Sequence, residues 1–75
     1  MNNIKKLRCN YAVVVTETDA KTGEPTWEYL IARCPDLSTA EATLALHRDH
    51  NPAVKVMLTD PCTTSRYYIR VRRTY

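Results

Sequence analysis

The stretch Ser65–Tyr75, SRYYIRVRRTY, holds the residues of this chain best suited to recognition chemistry. Read with the two-residue period of a strand, Tyr67, Ile69 and Val71 fall on one side, and Arg66, Tyr68, Arg70 and Arg72 on the other. Guanidinium forks pair bidentately with phosphates or carboxylates. A phenol ring among them offers a flat face for a base or a rigid anchor for a protein surface. The pattern points to an anionic partner; the plainer reading is a strand kept soluble and unpaired by its charge.

Catalysis is poorly provided for. His47 and His50 stand three apart near the end of a helical pattern, but no carboxylate or cysteine joins them at the spacing of a zinc site. Cys62 follows Asp60 in D-P-C-T-T, which reads as a turn rather than a nucleophile's setting. Phosphate-loop and nucleophile-elbow motifs are missing, and the single glycine, Gly23, leaves little to build them from. The expectation is a non-enzymatic protein with no cofactor and no metal.

The 75 residues make one domain, 1–75, with the 44% hydrophobic and 25% charged residues of a folded protein. A core this small gains from dimerisation or from docking on a partner. The longest uncharged apolar run, Tyr11–Val15, is too short to cross a membrane, and Lys5, Lys6 and Arg8 do not lead into a signal-peptide core. Three widely spaced cysteines, Cys9, Cys34 and Cys62, argue for buried free thiols. Together these features predict a cytosolic protein.

Net charge is +3, unevenly spread. All eight acidic residues lie between Glu17 and Asp60, whereas Lys5, Lys6, Arg8, Arg66, Arg70, Arg72 and Arg73 lie outside that window. Adjacent first and last strands would merge these cations into one patch that attracts anions.

Four strands and a helix are expected to position them. Residues 9–16 and 26–34 read as strands around a polar loop with Gly23 and Pro25. In PDLSTAEATLALHRDHNP, Ser38 and Glu41 form a capping box, Leu37 staples to Ala42, and Asn51-Pro52 ends the helix. AVKVMLT, residues 53–59, reads as a third strand, and the arginine-rich stretch as the fourth. The fold class is α+β, β-β-α-β-β, a four-stranded antiparallel sheet with one helix on one face. If Leu30, Ala32, Val54, Val56, Leu58, Tyr67, Ile69 and Val71 face the helix, the open face carries Trp27, Tyr29, Ile31, Arg33, Lys55, Met57, Arg66, Tyr68, Arg70 and Arg72. A one-residue slip in strand two would bury Trp27 and Tyr29 instead.

The layout, with DLSTAEATLAL feeding a helix, then V-K-V-M-L and a basic aromatic last strand, resembles small phage-encoded proteins, among them type I anti-CRISPR inhibitors. The resemblance spans nearly the whole chain as a pattern and is most specific at Leu37–Ala42. It implies a protein that blocks a host RNA-guided nucleoprotein complex sterically, with Lys55, Arg66, Tyr68, Arg70 and Arg72 as candidate contacts. Trp27 and Tyr29 complete the expected partner-binding set. Basic ends separate this chain from acidic DNA mimics. Two other functions fit the residues: a small cytosolic DNA- or RNA-binding module, though without the RNA-module signature runs, and a structural protein that dimerises through its open face.

Overall fold

The computed structural model describes residues 9–75. Strand β1, Tyr11–Asp19, is central, flanked by β2, Pro25–Cys34, and β3, Ser65–Arg73, both antiparallel to it. Its run Ala12–Thr16 is buried on both faces. The first and last of these strands thus pair. Lys5, Lys6 and Arg8 lie outside the described residues.

The β1–β2 turn is organised by Asp19. Its Oδ1 accepts from the Lys21 and Thr22 amides at 2.7 and 3.2 Å, and its carbonyl accepts from Gly23 N–H at 2.7 Å. Gly23 has φ +76°, left-handed backbone that other residues enter at a cost, although a Cβ there would meet nothing.

Helix α1, Leu37–His50, begins two residues earlier than a cap at Ser38 would start it. Asp36 is the cap: extended after Pro35, it accepts the Thr39 amide on Oδ1 at 2.7 Å. Ser38 and Glu41 therefore lie inside the helix, and Leu37 is its first residue rather than the staple. Ala40 is fully buried and Leu44, one turn on, packs beside it.

The expected third strand is a helix, α2, Pro52–Leu58. Asn51 ends α1 through its own N–H, 3.1 Å from the His47 carbonyl, and starts α2 through Oδ1, which accepts from Ala53 and Val54 N–H at 3.0 and 3.2 Å. Proline at the first helical position has the right φ and no amide to satisfy, so Pro52 opens this segment as well as closing the one before. The apolar alternation of 53–59 also fits helical spacing: Val54 is buried and Met57 and Leu58 are half-buried, whereas Lys55 and Val56 face out.

Among the described residues the fold is therefore α+β with a three-stranded antiparallel sheet and two helices. Helix α1 touches all three strands, and α2 packs on α1 and β3. Val13, Cys34 and Ala40 centre the core, with Tyr11, Ile31, Ala32, Leu44, Ile69 and Val71 around them.

Candidate functional site

Cross-strand partners share a face, so the pairing places every side chain. On the side away from the core, three rows cross the sheet: Arg33–Ala12–Arg72, Leu30–Val14–Arg70 and Glu28–Thr16–Tyr68. Arg66 follows beside Thr18. The alternation of β3 thus holds as expected, with Arg66, Tyr68, Arg70 and Arg72 on this face and Ile69 and Val71 in the core.

The face is not free of carboxylate. Glu28 lies among the arginines, with Oε2 accepting from Arg70 Nη2 at 2.8 Å and Oε1 3.2 Å from Arg72 Nε. The second contact is an ion pair without a directed hydrogen bond, because the buried Arg72 Nε finds no acceptor. Arg70 Nε also donates to Thr16 Oγ1 at 3.1 Å, satisfying a hydroxyl that is wholly buried. Ala12, Val14 and Thr16 are each no more than 1% exposed, on a side where neither described helix packs. Arg70 and Arg72 stand directly opposite Val14 and Ala12 on this side, where arginine stems can shield apolar neighbours.

Two guanidiniums on the face remain without an ion pair among the described residues: Arg33 and Arg66, both exposed. Tyr68 is exposed between Arg66 and Arg70, and Leu30 is exposed beside Val14. One carboxylate against four guanidiniums leaves the surface strongly positive.

Three expected members of the site lie elsewhere. Trp27 and Tyr29 sit on the core side of the sheet, opposite Glu17 and Val15. They stack at 5.7 Å with rings inclined 28°, and remain about half exposed. The cause is a bulge: Val13 pairs with Ala32 but Val14 with Leu30, leaving Ile31 as an extra residue. It puts residues 27–30 out of phase with Arg33, and Leu30, expected to face the helix, turns outward. Lys55 is on α2, off the sheet, with Met57. Val56, expected in the core, is 68% exposed.

Glu28 is the functional residue that strand reading missed. Unbroken alternation back from Ala32 would aim this carboxylate at the core side. The cost of burying an unpaired charge was the available signal that the phase must break.

Elsewhere the chemistry is sparse. Among the described residues no three His, Cys, Asp or Glu side chains gather as a metal would need. An open groove of about 420 Å³ lies where α1 meets α2, lined by Leu46, His47, His50, Asn51 and Pro52. There His47 Nδ1 accepts from Asn51 Nδ2 at 2.9 Å, tying the ring to the helix junction. The cysteines are free, but only Cys34 is buried; Cys9 and Cys62 are half-exposed. The Thr64 hydroxyl, 3.2 Å from Cys62 Sγ, together with the Thr64 and Ser65 amides, holds that thiol below its ordinary pKa.

Among the described residues no helix is long and apolar enough to cross a membrane. No family model, curated protein or solved structure matches the chain.

Proposed function

We propose that the protein is a non-enzymatic binding protein whose open sheet face docks on a phosphate-bearing partner. The observation that carries this reading is the concentration of Arg33, Arg66, Arg70 and Arg72 around Tyr68 and Leu30, with Glu28 as their only carboxylate. Arginine and tyrosine are enriched in the centres of binding surfaces, and a charged sheet face with an aromatic on it suits a nucleic-acid strand. Dimerisation through the same face is disfavoured, because it would set like charges against one another.

The specific form proposed is a phage or mobile-element inhibitor that seats this face on exposed phosphates of a host RNA-guided nucleoprotein complex and blocks it sterically. The resemblance at DLSTAEATLAL supports that form, and the cytoplasm of a bacterial host is where it would act. Its test is binding to a guide-loaded type I surveillance complex and to the bare guide RNA, across a salt series. The expected result is capture by the complex, lost in the folded double variant Arg33→Glu, Arg66→Glu. Undiminished binding of that variant overturns the role of the face. Equal affinity for bare RNA overturns the inhibitor form in favour of a nucleic-acid module.

A further inference from the structure

Glu28 does on this surface what a ligand's anionic oxygens would do. Its two oxygens are 2.8 Å from Arg70 Nη2 and 3.2 Å from Arg72 Nε. Both guanidiniums come from β3, spaced two residues apart, and the carboxylate reaches them across β1 from the outer strand. The fit is incomplete, since Arg72 Nε–H is buried with no acceptor. The pair is also easily opened: Glu28 is 35% exposed and the arginines 37% and 39%, the regime in which ion pairs are weakly held.

We propose that Glu28 is a built-in competitor for the phosphate seat formed by Arg70 and Arg72, so that a nucleic-acid strand binds there by displacing it. The inference rests on the reading of the open face as phosphate-binding, and adds to it the residue that regulates the site. Arg33 and Arg66 are free to make first contact. Arg70 and Arg72 follow once successive phosphates offer each guanidinium its own anion, while the Glu28 carboxylate turns out to solvent. A simple monovalent anion supplies one charge for the one it displaces and gains nothing. A strand carrying several phosphates in register gains at each. The carboxylate thus suppresses binding of small anions and favours polyanions.

The test is fluorescence anisotropy of a labelled oligouridylate of roughly 15 nucleotides, long enough to cross the sheet. Wild type is compared with Glu28→Gln and with Glu24→Gln, which makes the same charge change in the exposed turn. Glu28→Gln is expected to bind several-fold more tightly than Glu24→Gln. Its log–log salt slope should match that of Glu24→Gln, because both complexes hold the same phosphates and only the displacement of the carboxylate is removed. Equal affinity of the two variants overturns the inference while leaving the binding face intact. No binding by any of the three proteins at low salt overturns both. Should Glu28→Gln fail to fold, Glu28→Asp decides. It keeps the net charge but shortens the reach, so tighter binding supports the competitor role and unchanged binding overturns it.

Discussion

Glu28 and Arg70, 42 residues apart in the chain, meet at 2.8 Å across the central strand, and their contact lies over the buried pair Val14 and Thr16. Arg70 therefore has a structural duty as well as a charge. Replacing Arg70 by Ala should cost about 1–2 kcal/mol, from the lost bond to Thr16 and the uncovered apolar row. Arg66→Ala, which removes an exposed and unpaired side chain, should change stability by less than about 0.5 kcal/mol. Urea unfolding of the two variants checks the contrast, and equal effects would show that Arg70 covers nothing.

Asn51 closes one helix and opens the next, so a single substitution reaches both. Asn51→Ala removes the acceptor for the Ala53 and Val54 amides and the donor to His47. A loss of about 1–2 kcal/mol is expected, at the upper end for a cap. Asn51→Asp keeps the acceptor but not the donor and should recover more than half. Thermal melts followed by circular dichroism distinguish these outcomes.

Two carboxyls make the fold sensitive to acid. The Ser65 hydroxyl, with those of Tyr67 and Thr26, holds Glu17 below its ordinary pKa, and the Thr39 amide and hydroxyl do the same for Asp36. A carboxyl depressed in the folded state contributes stability that is complete above its unfolded value. That contribution is lost as pH falls through the folded value. The melting temperature should thus hold steady down to about pH 4, the unfolded range for these groups, and drop below it. The double variant Glu17→Gln, Asp36→Asn should start lower at neutral pH and lose less on acidification. A parallel decline in both proteins would place the acid sensitivity elsewhere.

Thiol reactivity should rank by setting. Cys62, half-exposed and with its thiolate stabilised by Thr64, should react with iodoacetamide at neutral pH well before buried Cys34. Thr64→Val should slow Cys62 several-fold without changing Cys34. Mass spectrometry of a timed alkylation series reads both.

The legibility of the fold followed the physics of each segment. Ala12–Thr16 and the alternation from Arg66 to Arg72 could be read directly, because a buried run and a two-residue period each have one natural home. The helix from 37 to 50 was equally plain, although its cap was not: Asp36 competes with Ser38 for the role, and the residue following Pro35 is already extended. Residues 53–59 were misread because apolar side chains at 54, 56, 57 and 58 satisfy the strand period and the helical one alike. Asn51-Pro52 ends one element and begins another in the same two residues. The candidate site was half legible. Its β3 arginines follow from that strand alone, whereas Glu28 and the displacement of Trp27 and Tyr29 depend on where β2 slips, a tertiary event whose one trace in the sequence is a carboxylate aimed at the core.

The extra residue at Ile31 sets the phase of the outer strand. Deleting it would leave Ala32 opposite Val13 and Leu30 opposite Val14 with nothing between them, an unbroken zigzag that keeps Glu28 and Leu30 among the arginines and Trp27 and Tyr29 on the other surface. A slip that flattened the bulge with every residue kept would instead exchange what the two surfaces display.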